Sequence, residues 1–522
     1  EMSASLVGSE MCIRDSDNGR YKLYTRYQKE LAGDDIGAYL TFDTEEGEQV
    51  EVQMGVSFVS MENARLNLDT EQQGKNFGQV LEEARRRWND DLSRILVEGG
   101  TEEQKTVFYT ALYHTLIHPN ILQDVNGEYP AMESDKILTT QGDRYTVFSL
   151  WDTYRNVHQL LTLVYPERQL QMVRSMLDMY REHGWLPKWE LYGRETLTME
   201  GDPSIPVIVD TWLKGLRDFD IELAYEAMRK GATLPGAENL LRPDNDDYVS
   251  LGYVPLREQY DNSVSHALEY YIADNALSRI AAALGKKEDA RLFHERSLGY
   301  KHYYCKEYGT FRPILPNGEF YAFFDPRQGE NFEPNPGFHE GCAWNYTFYV
   351  PHDVKGLARL MGGKKPFVDK LQRVFDEGLY DPANEPDIAY AHLFSYFKGE
   401  EWRTQKELHR LLQKYFKNAP DGIPGNDDTG TMSAWAIFNM MGFYPDCPGE
   451  PAYTLSTPVF DKVTIKLDPK YWGRDQLVIE TERPSAESLY IREMELGGKK
   501  LSRYRITHEE LVQSGKLRFS LR

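Results

Sequence analysis

The sequence predicts a multidomain protein of mixed α and β structure, mainly helical, with an α/α toroid at its centre and β elements on either side. Three observations predict it. Apolar residues alternate over 50–58, helical periodicity runs almost unbroken from Thr101 to Pro445, and alternation returns from Val463 to the end. A plain helical array has the same periodicity as a toroid, so the helices alone leave both open. The chain has 522 residues, and 41% of them are hydrophobic, which is ample for a large core.

The first elements are strands. Val50, Val52, Met54, Val56 and Phe58 alternate with Gln53, Gly55 and Ser57, and residues 21–27 and 38–42 read more weakly the same way. Next comes a helix with Phe77, Leu81, Ala84, Trp88, Leu92 and Ile95 on one stripe. Thr101 and Gln104 form a capping box for the helix through Phe108 and Leu112. Residues 169–182 form a helix that stops at Gly184, and a helix carrying Leu268, Ile272, Ala276, Ile280 and Leu284 stops at Gly285. Further helices cover 354–361, 367–375, 406–416 and 431–441, the last closed by Gly442. After Pro445 come strands through Val463, Ile465 and Leu467 and through Leu517, Phe519 and Leu521. Between them lie a Gly497-Gly498 turn and a short helix capped by Thr507. The expected domains are a tail (1–16), a β-sandwich remnant (17–75), a linker helix (76–100), the helical domain (101–445) and a C-terminal β domain (446–522). Residues 3–16 resemble translated sequencing adapter joined to an open reading frame, with a genuine tail as the alternative. On the adapter reading the natural chain began upstream and Cys12 carries no meaning.

Charge and cysteines exclude several function classes. The formal net charge of −22 argues against nucleic acid and against anionic membrane surfaces. No apolar run approaches the ~18 residues of a membrane span. Cys12, Cys305, Cys342 and Cys447 form no C-x-x-C pair, so a zinc ribbon is not expected. The 34 tyrosines and 9 tryptophans suit a neutral polar ligand such as a sugar.

Four loop segments gather acids, amides and tryptophans. They are WDTYR (151–155) with GWLPKW and Gly201-Asp202, HEGCAWN (339–345), NEPD (384–387), and GNDDTG (425–430) before Trp435. Each has a bland reading. Asp427 and Asp428 can cap the helix that follows, Glu340 can be a solvated loop acid, and Trp344 and Trp435 can be core. Together they suit glycoside hydrolysis, which needs one carboxyl held protonated and another ionised across a sugar. Their oxygens suit a hard cation.

The strings SFVSMENARLNL, FSLWDTYRNVH, GWLPKWEL, EGDPSIPVIVD, EGCAWNYTFYVPHD, NEP, GNDDTGTMSAW and GFYPDCPG occur in order along the chain. Through them the chain resembles glycoside hydrolase family 92, the calcium-dependent exo-α-mannosidases. The resemblance implies an N-terminal β-sandwich, of which only the last part is retained, then a central (α/α)6 domain and a C-terminal β extension. It places the general acid on Glu340 and the base on Asp428, with Asp427 as the other candidate. It sets Ca²⁺ around Asn345, Asn384 and Glu385. It lines the sugar pocket with Trp151, Asp152, Arg155, Trp189, Asp202, Trp344 and Glu385. The implied partners are mannose-containing glycans, N-glycans or mannans, met in the periplasm or outside the cell. Many relatives carry glutamine at the places of Asn345 and Thr431, and those preferring α-1,2 linkages often have His-Glu at the place of Asn384-Glu385. A non-catalytic glycan-binding protein on the same fold, or another (α/α)6 enzyme such as a phosphorylase, is the rival reading.

Overall fold

A computed structural model describes residues 42–257, 262–329 and 335–522. The adapter-like tail and the expected strand at 21–27 lie outside these residues, as does all but Phe42 of the one at 38–42.

Local signals set the helix ends. Thr101 and Gln104 form a reciprocal capping box at the start of the helix Glu102–His114. The helix Pro166–His183 ends at Gly184, whose φ of 88° is left-handed and free of Cβ strain. The helix Ser263–Ala283 is buried on nearly every face, which makes it the central pillar of the helical part. The helix Thr431–Met441 is wholly buried. It starts at Gly430 (φ 93°), where a Cβ would come within 2.9 Å of the Thr115 Cα. That close approach locks this helix, and the GNDDT loop before it, against the end of Glu102–His114.

The C-terminal part is a six-stranded sheet. Across it run Ile95–Glu98, Lys462–Lys466, Gln476–Glu482, Lys516–Leu521, Ile491–Leu496 and Lys499–Leu501. Gln476–Glu482 and Lys516–Leu521 are parallel and the other pairs antiparallel. Gly497 and Gly498 make the expected turn, and Thr507 caps the helix His508–Ser514 through a second capping box with Glu510. One hydrophobic core runs continuously from Ile95 to Leu521 through helices and sheet.

Two expectations are corrected. The helix with the Phe77 stripe ends at Leu92, and Ile95 instead opens the edge strand that pairs with Ile465. Residues 50–58 form no strand. A strand needs a partner's hydrogen bonds, and among the described residues none pairs with this segment. Val50, Val52, Met54 and Val56 are all exposed, so the alternation presents an apolar face that none of the described residues covers. Just beyond it the chain is fastened down. Phe58 stacks on Tyr192 at 4.7 Å, and Asn63 and Asn67 bind the Asp124 carboxylate at 2.8 and 2.7 Å.

That face favours self-association. Replacing Val52 and Val56 with lysine is expected to suppress concentration-dependent association in sedimentation velocity. The thermal midpoint should stay within about 2 °C, because exposed side chains away from packing contribute little to stability. Unchanged association would place the sticky surface elsewhere.

Candidate active site

Three carboxylates meet in the helical part. Oxygens of Asp152, Glu385 and Asp428 lie within 4.8 Å of one another. Asp152 and Glu385 are buried and Asp428 is half-buried. Asp152 sits on the helical turn Leu150–Thr153, which follows directly on the strand Phe148–Ser149. That strand pairs with Trp189–Leu191, so the WDTYR and GWLPKW segments come together. Asp428 comes from the loop locked by Gly430.

The electrostatics follow from crowding. Burial, then the Asp428 charge, pushes Asp152 up to about 7 against the pull of the Ser149 hydroxyl. Burial also pushes Glu385 well above the carboxylate range, and Asp152 and Asp428 push it further. A hydrogen bond between the Glu385 and Asp428 carboxyls raises Glu385 and lowers Asp428. Burial raises Asp428 as well, with that bond opposing.

Glu340 lies outside this trio but close enough to feel it. Burial raises its pKa, the neighbouring His339 lowers it, and the Asp428 charge raises it further. Glu340 and Asp428 share a backbone signature, since both occupy the left-handed region, at φ 45° and 46°. A non-glycine residue held there costs about 1–3 kcal/mol and persists only where the surroundings impose it. Glu133, Val147, Tyr192, Leu197, Met199 and Thr429 share that region, and what sets Glu340 and Asp428 apart is that both lie beside the buried Asp152 and Glu385.

Asp427 is built differently. Its Oδ1 accepts the Ser433 N–H at 2.9 Å, and its Oδ2 lies 3.6 Å from His114 Nδ1. It caps the helix, while Asp428 turns toward Glu385.

Three other expected site residues are already engaged by protein groups. Asn345 has no free amide for a metal, because Oδ1 accepts from Cys342 N–H at 2.9 Å and Nδ2 donates to Leu379 O and Asp387. The Asp202 carboxylate is paired with buried Arg242 at 3.2 Å. Trp344 has Lys370 and Arg373 over its ring at 4.6 and 5.4 Å, so it offers no open face to a sugar. Asn384 is largely spent too, donating to Glu340 O at 2.5 Å and accepting its neighbour's N–H. It ties the Glu340 loop to the Glu385 loop. Trp435 is core, stacked on Phe416 with its N–H on Ile388 O.

Trp151 and Trp189 keep buried indole N–H groups without a partner among the described residues. Arg155 lies over the Trp151 ring at 4.7 Å, pairs with Glu269 at 3.1 Å and reaches Glu385 O at 3.4 Å. It therefore supports the pocket from behind. Sequence reasoning missed Glu269, whose only signal is a glutamate on the otherwise apolar stripe of Ser263–Ala283.

The trio suits a hard cation. Every donor is a carboxylate oxygen, and Glu385 Oε1 is buried with no hydrogen-bond partner among the described residues. A divalent ion would offset the burial of charge that raises all three groups and the repulsion that raises Asp152 and Glu385 further.

The family model described as "Glycosyl hydrolase family 92 catalytic domain" matches residues 63–522. A protein of Arthroderma benhamiae described as an uncharacterized secreted glycosidase is 28% identical over 93% of this chain and 62% of its own length. A solved family GH92 alpha-mannosidase from Bacteroides thetaiotaomicron superposes with a TM-score of 0.82 at 32% identity, over 89% of this chain and 61% of that one. Its complex with mannoimidazole gives a TM-score of 0.83 at the same identity, over 89% and 62%. A family GH92 inverting mannosidase from the same species gives a TM-score of 0.82 and 32% identity, over 89% and 65%. The chain thus spans about three-fifths of the length of these relatives.

Proposed function

The chain belongs to glycosyl hydrolase family 92, and on that premise we propose that it is an exo-acting α-mannosidase that hydrolyses terminal α-mannosides of N-glycans or mannans with inversion. The observation that carries this reading is the pair of acids in left-handed turns, Glu340 and Asp428, beside the buried Asp152 and Glu385. The solved relatives named for mannosidase activity, one of them bound to mannoimidazole, support mannose as the sugar. The secreted fungal relative supports a setting outside the cytoplasm.

In this mechanism Glu340 enters each cycle protonated, as its raised pKa favours, and gives its proton to the leaving glycosidic oxygen. Asp428, acting in its ionised form, takes a proton from water on the opposite ring face. Inversion requires roughly 6.5–9.5 Å between the two carboxyls to admit that water. Asp152 and Glu385 would hold Ca²⁺. Bound there, the ion would supply electrostatic stabilisation of charge on the sugar's oxygens. Arg155 and Asn384 keep the Glu385 and Glu340 loops in register.

The test is release of free mannose with and without chelator. Activity should vanish on exhaustive chelation and return with Ca²⁺, and Ca²⁺ should raise the thermal midpoint, most at pH above 7. The sign follows from Asp152. Its pKa, raised from 3.8 to about 7 in the fold, makes the folded state bind more protons across that window. Stability without the ion therefore falls as pH rises through it and stays low above it. Undiminished hydrolysis after chelation would refute the cation's role. Binding of mannosides with no mannose release under any condition would favour a glycan-binding protein instead.

A further inference from the structure

Behind Glu340 lies a line of alternating acids and imidazoles that the mechanism above does not use. His339 Nε2 is 3.7 Å from Glu340 Oε1. Its Nδ1 is 3.1 Å from Glu200 Oε1, which also accepts the Asn262 side-chain N–H at 2.8 Å. The second oxygen of Glu200 contacts His266 Nε2, and His266 Nδ1 lies 2.6 Å from Asp244 Oδ2. Glu200 is 2% exposed, so a carboxylate sits almost dry with both oxygens aimed at imidazoles.

Burying a carboxylate costs several kcal/mol unless it is paired, so its retention here calls for a purpose or a compensating set of contacts. The geometry points to the purpose. We propose that Glu200 is a positioning residue for the general acid, acting through His339. Glu200 Oε1 and the Asn262 amide both meet the Nδ1 edge of His339, at 3.1 and 3.0 Å, and so fix the plane of the ring with its Nε2 edge toward Glu340. Met199 Sδ shares that Nε2 edge at 3.1 Å, and the Trp151 edge packs against the ring, with ring centres 5.9 Å apart. A ring so fixed walls one side of Glu340, which restricts the rotamers of a glutamate on a strained turn and leaves its carboxyl facing the leaving oxygen. His266 and Asp244 anchor Glu200 from behind in the same way.

The inference rests on Glu340 being the general acid, so the test carries that control. The kcat and KM of the wild type, Glu200→Gln, His339→Ala and Glu340→Gln are measured on an activated dinitrophenyl α-mannoside and on an α-linked mannobiose. If Glu200 positions the acid, Glu200→Gln and His339→Ala lower kcat on the disaccharide by roughly 10- to 100-fold, a part of the ~10²–10⁴-fold that general acid catalysis supplies. The dinitrophenyl substrate, whose leaving group needs no proton, loses less than about 3-fold, and KM is unchanged on both. Should Glu200→Gln not fold, the half-exposed His339 supplies the answer alone. Equal losses on both substrates, or none, from variants that fold, alongside a selective loss in Glu340→Gln, would overturn the positioning role and leave the acid intact. An unselective loss in Glu340→Gln itself would refute the acid assignment instead.

Discussion

Glu340→Gln is expected to lower kcat/KM on natural glycans by about 10²–10⁴-fold while sparing activated aryl mannosides. Glutamine keeps the volume of the side chain and its left-handed backbone but cannot give up a proton. The pH profile should change with it. Burial raises Glu340, so the protonated form survives to higher pH than an ordinary carboxylic acid allows, and the alkaline limb of kcat/KM reports its loss. In Glu340→Gln that limb should flatten. A limb that stays in place would assign it to another group, and equal losses on both substrates would mean that Glu340 is not the acid.

Asp428→Asn is expected to cost a similar factor, about 10²–10⁴, on both kinds of substrate, because water must be activated whichever group leaves. The neighbouring Asp427→Asn should behave otherwise. Asp427 caps Thr431–Met441 through the Ser433 N–H, and an asparagine Oδ1 still accepts that bond, so Asp427→Asn should change both stability and kcat little. Comparing the two variants by kcat and by thermal midpoint decides which aspartate is the base. A larger kcat loss in Asp427→Asn would reverse the assignment.

The helices could be read from the sequence because their signals are local. Thr101 with Gln104, Thr507 with Glu510, and the stops at Gly184 and Gly442 act within one turn of the chain. The alternation over 50–58 has a strand's period, but pairing is non-local, and among the described residues no partner strand lies beside it. Ile95 continued a helical stripe by arithmetic and still left the helix, because the sheet offered it Ile465.

The site divides in the same way. Asp152 stands on the turn Leu150–Thr153 and Glu340, Glu385 and Asp428 in loops; oxygens of Asp152, Glu385 and Asp428 meet within 4.8 Å, and Glu340 lies near enough to feel the Asp428 charge. Asn345, Asp202 and Trp344 stand in equally polar strings. Their partners Leu379, Arg242 and Lys370 come from distant segments that no local pattern announces. Glu200 and Glu269 went unnoticed for the converse reason. Their value lies in His339 and Arg155, each reached only through the fold.

The central claim is that Glu340 and Asp428 act from opposite faces of a mannose ring, and the anomer first released tests it most directly. Proton NMR followed from the first seconds of α-mannoside hydrolysis, before mutarotation, should show β-mannose appearing first, with the α-anomer growing in later. The α-anomer appearing first would mean retention, which requires carboxyls only about 5 Å apart and a covalent intermediate, and would contradict the account.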